Sequence, residues 1–545
     1  MAVDEKAASW VDARDAAVDA AIAAHDDAAL QRLSAEPGGF GSNASRRRAW
    51  REVLRLDRVV DAHPVDSGAV VAPERTGADT PTASTPTPST PRDADSAPDT
   101  PLVHITLDRD SSPTAQTDDG LPPHRDEGQV RLDTRRSFVT YPKGLTPGDK
   151  TAMQADLQAL IVAVLQRHPG LNYFQGFHDI MTVLYLTVLD RTPRAAGEKT
   201  SEEDERQWDE LLAAAEVVSL CRVRDAMGKS LGPMMGMLRL LRRVLAVADP
   251  QLYRVSASIS PVPTLPFFAL SWILTLFSHD VDTLEPVQRI FDYLITRNPI
   301  SAIYLAVAIL VAKKPQMLRL AAALGPEARA DPSLLHPLFA RLPPLYADTP
   351  DAPTPPPPPP INDDDDDDDD DDNANPYTPI ALSTVFLLAD KLQAKYPWDG
   401  PRIRGLEVMG PGSVVQTYSA DVDPEKGSLS LADAAEHIDK DVILPGGDAL
   451  DDDEEVAPPR RWPVSLPQLH LPPSLRVPPN RVGTVIAFGV VVLGIGTALY
   501  GWRAGGPRAS WAQWWGLVAR SWAVRSVGLG HNGLVGGLAE RFRLR

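Results

Sequence analysis

Val130-Arg131-Leu132-Asp133-Thr134-Arg135-Arg136-Ser137 and Leu171-Asn172-Tyr173-Phe174-Gln175-Gly176-Phe177-His178-Asp179-Ile180 decide the reading of this chain. As patterns they are V-x-x-D-x-x-R and Y-x-Q-G, with Arg136 and Gln175 separated by 39 positions. An arginine and a glutamine are the two side chains that speed GTP hydrolysis. The arginine neutralises charge on the transferring phosphoryl group, and the glutamine places the attacking water. A chain that offers both to a bound GTPase needs no nucleotide site of its own, and no G-x-x-x-x-G-K-[ST] is present here. Arginine suits the task because its guanidinium is always charged and its planar fork can meet two oxygens. Arg135, the neighbour of Arg136, is the obvious rival for the same role. Asp133, three residues earlier, shares a helical face with Arg136 and could hold it in place.

Each residue also has a plainer reading. Asp133 and Arg136 could be an ordinary surface pair. Asn172-x-x-Gln175 has the spacing of a capping box, in which Gln175 would bond back to the Asn172 amide. Gly176 stands where a side chain would obstruct the close approach of a partner backbone. Tyr173 reads as a packing and orienting residue. His178 and Asp179 are adjacent, about 100° apart on a helix, which suits shaping the loop better than acting as a dyad.

The two motifs resemble the paired fingers of the TBC domain, the GTPase-activating domain for Rab GTPases, written I-x-x-D-x-x-R and Y-x-Q-G. Val130 replaces Ile, and Asp133, Arg136, Tyr173, Gln175 and Gly176 match position by position. Gly41–Leu54, with Arg46, Arg47 and Trp50, resembles the domain's opening helix, with Val53 where Leu is usual. Phe268–Ser278 resembles its late F-x-x-x-W-x-x-x-x-F helix, and Arg289-Ile290-Phe291-Asp292 its R-I-W-D segment. The likeness runs over roughly residues 34–397. It implies an all-α TBC fold, Arg136 and Gln175 as catalytic residues acting in trans, and Asp133, Tyr173 and Gly176 in support. It also implies a Rab GTPase in the GTP state as partner. No cofactor belongs to the chain itself, since GTP and Mg²⁺ are the Rab's. The D-x-R-R-S and Q-G-F-H-D-I variants are most similar to the branch anchored at the endoplasmic reticulum, with a C-terminal transmembrane segment. A membrane-tethered Rab-binding scaffold without catalysis is the rival, and retention of both motifs argues against it.

Composition sets the surroundings. The 545 residues include 53 Pro and a single Cys, and the formal charge of -19 disfavours nucleic acid. One thiol, Cys221, excludes an internal disulfide and fits a reducing compartment. Residues 1–397 are expected to form the TBC domain, with disordered insertions at about 62–126 and 344–376. The second insertion holds Pro355–Pro360 and the unbroken run Asp363–Asp372, read as a solvated spacer rather than a Ca²⁺ site, which needs loop geometry. Residues 5–34, Ala-rich with few breakers, read as one or two helices, and the pattern predicts further helices over 46–56, 153–165, 177–188, 231–248, 266–277, 287–296, 300–312 and 378–396. Residues 190–207 read as a charged loop, and 398–480 as a disordered acidic and Pro-rich linker.

Val482–Trp502 contains no charged residue and is bracketed by Arg481 and Arg503. At ~1.5 Å per residue it spans about 31 Å, a bilayer core. It is expected to be a transmembrane helix, placing the catalytic domain on the cytosolic face of the endoplasmic reticulum membrane. The start, Met1–Lys6, lacks the apolar core of a signal peptide. Residues 503–545 form a basic, Trp-rich tail whose Trp511, Trp515 and Trp522 suit a membrane interface. The tail's positive charge leaves a re-entrant hairpin open beside a single pass.

Overall fold

A computed structural model of the chain describes residues 2–56, 122–189, 201–259, 265–325, 331–355, 375–418, 431–440 and 442–444. The expected transmembrane helix at 482–502, the tail at 503–545 and the Asp run at 363–372 lie outside the described residues. The fold is almost wholly helical, as the apolar spacing predicts. The helices are α1 (Ala2–Ala23), α2 (Asp27–Ala35), α3 (Asn43–Val53), α4 (Glu127–Thr134), α5 (Pro147–Arg167), α6 (Phe177–Val188), α7 (Glu202–Cys221), α8 (Gly232–Ala248), α9 (Pro250–Ile259), α10 (Leu270–Leu274), α11 (Leu284–Ile295) and α12 (Ser301–Ala323). After these come α13 (His336–Ala340), strand β1 (Leu345–Tyr346), strand β2 (Ile380–Ala381), α14 (Leu382–Lys395), α15 (Val414–Thr417) and α16 (Leu431–Ala435).

The core is built around α12. Every residue from Ser301 to Leu310 is buried, because α8, α10, α13 and α14 surround the helix. A helix apolar on all sides must be enclosed in this way or lie in lipid. Among the described residues α12 is long and apolar enough to cross a membrane, but its most apolar stretch is 67% buried inside the fold. It continues past the expected stop at 312 and runs through Pro315 to Ala323. Lys313, on the same helix, is fully buried. Its ammonium donates to the carbonyls of Leu338, Phe339 and Arg341 at 3.0, 2.7 and 2.7 Å, so all three donors are used at the end of α13.

Two of the family-like segments meet in the interior. Arg46 Nε on α3 donates to both oxygens of Asp292 on α11 at 3.0 Å, and Trp50 Nε1 donates to Oδ1 at 2.7 Å. Arg46 and Asp292 are 4% and 0% exposed. Arg289, one turn earlier on α11, donates to the carbonyls of Ser34 and Glu36. Arg297, just beyond α11, pairs with Asp390 of α14 at 2.9 Å and donates to the Gln31 carbonyl. Tyr293 stacks on Phe386 with ring centres 4.4 Å apart. The N-terminal helices and α14 are thus closed onto one face of α11.

Several boundaries differ from the sequence reading. Residues 122–126, assigned to the first insertion, are ordered, and His124 among them is buried. Around the second insertion, Leu345 and Tyr346 pair in parallel with Ile380 and Ala381, so the chain on both sides of the Asp run is held together. The charged stretch at 190–207 becomes helical at Glu202, started by a reciprocal Ser201–Asp204 capping box. The linker expectation fails over 398–418, 431–440 and 442–444. Ile403, Val408, Met409, Val414, Val415 and Ala434 are buried there, and two buried charges of the body, Arg224 and Asp225, hold the segment. Spacing could not show this, because isolated apolar residues in a polar stretch reveal no period.

Replacing Asp292 with Ala should cost about 3–5 kcal/mol, because it strands the buried Arg46 guanidinium. Thermal or denaturant unfolding measures this. An unchanged midpoint would mean that the Arg46–Asp292–Trp50 cluster contributes no net stability.

Candidate functional site

The first motif forms the end of α4 and the turn after it. Val130 is fully buried and Asp133 is 3% exposed, so the helix faces inward at both positions. Arg135 ends the helix, and Arg136 N–H bonds to the Asp133 carbonyl at 2.9 Å. Gln154 of α5 then clamps the turn, its Nε2 donating to the carbonyls of Arg135 (2.9 Å) and Ser137 (3.1 Å). Phe138 adopts φ 58° and buries its ring against Tyr185 at 5.6 Å. The backbone on each side of Arg136 is therefore fixed. The Arg136 side chain is exposed and has no bonding partner among the described residues.

The second motif forms the loop between α5 and α6. Gly176 is the residue before α6 and has φ 107°. A Cβ there would lie 2.7 Å from Thr275 Cγ2, so glycine is required by the backbone and by the space. The crowding neighbour is internal, on the turn after α10, not a partner backbone. That turn exists because the helix expected over 266–277 breaks after Leu274, with Leu276 and Phe277 at φ 51° and 68°. The capping-box reading of Asn172 and Gln175 is not realised. The Asn172 backbone N–H and Nδ2 both donate to the Met227 carbonyl, at 2.8 and 3.2 Å. Gln175 is exposed, and its side chain has no partner among the described residues.

What joins the motifs is Tyr173. Its hydroxyl donates to Asp133 Oδ2 at 3.0 Å and accepts from His178 Nδ1 at 3.0 Å. The other Asp133 oxygen accepts from Gln129 Nε2 at 3.0 Å. Asp133 thus orients Tyr173 of the other motif, not Arg136 as the spacing suggested. Asp126 Oδ2 accepts the Tyr173 backbone N–H at 2.9 Å, and Arg125 donates to Asn172 Oδ1 and the Leu171 carbonyl. Burial and the Asp133 carboxylate push the Tyr173 phenol far above its usual range, so it stays a donor. The network continues outward, with Asp179 Oδ2 bonded to His279 Nδ1 at 2.9 Å. That bond raises the His279 pKa. His178 Nε2 lies 3.3 Å from Asp179 Oδ1, so the two adjacent side chains pair and carry the network from Tyr173 outward to His279.

The surface around Arg136 is cationic and partly apolar. Arg131, Arg135 and Lys143 are exposed, as are Leu132 (52%) and Val139 (71%). Exposed aliphatic side chains beside free guanidinium groups suit a partner carrying both apolar surface and negative charge. Gln154, Asp126, Arg125, His279 and Met227 shape the site and were missed by the sequence reading. No local motif marks them, since each lies far along the chain from the residue it holds.

Residues 104–318 match the family model of the Rab-GTPase-TBC domain. Over those residues the chain is similar to a TBC domain and has its helical fold. The GTPase-activating protein gyp10 of Schizosaccharomyces pombe is 30% identical over 222 residues, which are 40% of this chain and 52% of that protein. Human TBC1 domain family member 20 is 27% identical over 219 residues, 40% of this chain and 47% of its own length. The GTPase-activating protein GYP8 of Saccharomyces cerevisiae is 31% identical over 166 residues, 30% and 32% of the two chains. The chain spans about half, or less, of the length of these curated relatives. The matched region of the TBC domain contains both motifs and ends inside α12.

Tyr173→Phe should lower stability by about 1–3 kcal/mol, because it removes a donor from the buried Asp133 carboxylate. Gln175→Ala should leave the melting temperature unchanged, because its side chain is bonded to nothing among the described residues. Equal losses in the two variants would return Gln175 to a structural role.

Proposed function

We propose that this chain is a GTPase-activating protein for Rab GTPases and supplies Arg136 and Gln175 in trans to the GTP-bound form. The observation that carries the reading is the Tyr173–Asp133 hydrogen bond. It ties the two motif loops together while the Arg136 and Gln175 side chains stand exposed and unengaged. In the docked state the Arg136 guanidinium would sit against the phosphates and offset the charge of the transferring group. The Gln175 amide would align the attacking water. Both loops have backbones pinned by internal bonds, so little ordering remains to be done on docking. Three relatives with the names given above support the reading, two of which are called GTPase-activating proteins.

The finer proposal places this activity at the endoplasmic reticulum membrane, with the TBC domain cytosolic. Support comes from the uncharged Val482–Trp502 stretch and the Q-G-F-H-D-I variant of the second motif. Regulation of early secretory traffic would follow from that location. Carbonate extraction of the full chain tests it. Release into the soluble fraction would remove the membrane anchor from the proposal.

Single-turnover GTP hydrolysis by a panel of Rab proteins, with the full chain added, tests the activity. Arg136→Ala should lower the stimulated rate by roughly 10³–10⁵ and leave binding to GTP-loaded Rab intact. Arg135→Ala should be mild. A dead Arg135→Ala with an active Arg136→Ala would reassign the arginine, and no stimulation of any Rab by the parent would defeat the reading.

A further inference from the structure

Beyond α14 the chain crosses back over the body in residues 405–418, 431–440 and 442–444. This stretch lies outside the family-matched region. Its anchors are specific. Asp225, 2% exposed, accepts Ser413 Oγ at 2.7 Å and Val414 N–H at 3.0 Å. Arg224, equally buried, donates to the Gly412 carbonyl at 2.9 Å, to Thr417 Oγ1 at 3.2 Å and to the Ala434 carbonyl at 3.3 Å. Met409 and Ile443 bridge to each other and close on Gly236 of α8, where a Cβ would meet Met409 Sδ at 3.0 Å and Ile443 Cδ1 at 3.1 Å.

The polar anchors converge on one short 3₁₀ turn, Arg224–Met227. Its last carbonyl, that of Met227, receives both donors of Asn172, three residues before Gln175. A second contact reaches the same loop from the other side. Ile438 lies against Gly170, where an added Cβ would come within 2.9 Å of Ile438 Cγ2. The segment therefore touches the root of the Gln175 loop twice, once through Arg224–Met227 and once directly.

We propose that residues 405–418, 431–440 and 442–444 act as a strap that sets the position of the Gln175 loop. Asn172, Asp225, Ser413 and Ile438 are its positioning residues, acting on Gln175 and not on the Rab. This rests on Gln175 being the water-placing residue of the proposed activity. The strap holds the loop at Gly170 directly and at Asn172 through Met227, while Asp126 and Asp133 hold it at Tyr173. Gln175, between these points and Gly176, is left with one backbone course and a free side chain. Loosening the strap should misplace Gln175 without touching the Arg136 turn, which Gln154 and Phe138 fix separately.

The test uses the full chain and four variants: Gly170→Ala, Ile438→Ala, the two combined, and Ser413→Ala. Gly170 does not have positive φ, so the added methyl meets only Ile438. Hydrogen exchange at the amides of residues 171–177 gives a readout that needs no activity. Each single variant should speed that exchange, Ser413→Ala included, although Ser413 does not touch the loop. The combined variant should return toward the parent, because Ile438→Ala vacates the space that the methyl added at position 170 fills. In single-turnover assays Gly170→Ala should lower the stimulated rate roughly ten- to a hundredfold. In a Gln175→Ala background it should cost nothing further, whereas in an Arg136→Ala background its cost should persist. Unchanged exchange in Ser413→Ala, failure of the combined variant to recover, or a full additional loss on top of Gln175→Ala would each overturn the strap. If the parent stimulates no Rab, the proposed activity fails while the exchange result still decides the strap.

Discussion

Asp292 is the group on which the closure of this domain depends. A carboxylate with no exposure can be kept charged only if donors surround it, and Arg46 and Trp50 are those donors. Both come from the far end of the described body, about 240 residues earlier in sequence. The helix that carries Asp292 also carries Arg289, with Arg297 just beyond it, and these two gather the end of α2 and the middle of α14. One face of α11 thus defines where three distant parts of the chain meet. Long insertions between those parts are tolerated because the cost of closing a loop grows only slowly with its length.

The site repeats this logic at smaller scale. Asp133 is buried and needs donors, and it takes one from its own helix and one from Tyr173 of the other motif. The hydrogen bond that satisfies the carboxylate is the same one that sets the spacing of the two loops. Backbone clamps do the rest: Gln154 around Arg136, and Asp126 with Met227 around the start of the Gln175 loop. Rigid backbone with free side chains suits the proposed catalysis in trans, in which only the side chains would have to find their target.

Much of this was legible beforehand in α5, α6, α8 and α11, where apolar residues recur at helical spacing. Short or irregular pieces were not. The break after Leu274, with Leu276 and Phe277 at positive φ, places Thr275 against Gly176, about a hundred positions earlier in the chain. The stretch after 398 looked like linker because its buried residues are scattered. Their burial is decided by Arg224, Asp225 and Gly236, which lie on other elements.

The sequence by itself determined the helical class, the family resemblance and the identity of Arg136 and Gln175 as candidates. Each of these is carried by residue types at short, regular spacing. The tertiary structure alone decided what Asp133 does, why position 176 must be glycine, and which residues hold the Gln175 loop. Those answers rest mainly on hydrogen bonds and close contacts between residues 40 to 268 positions apart, and no local pattern encodes such distances.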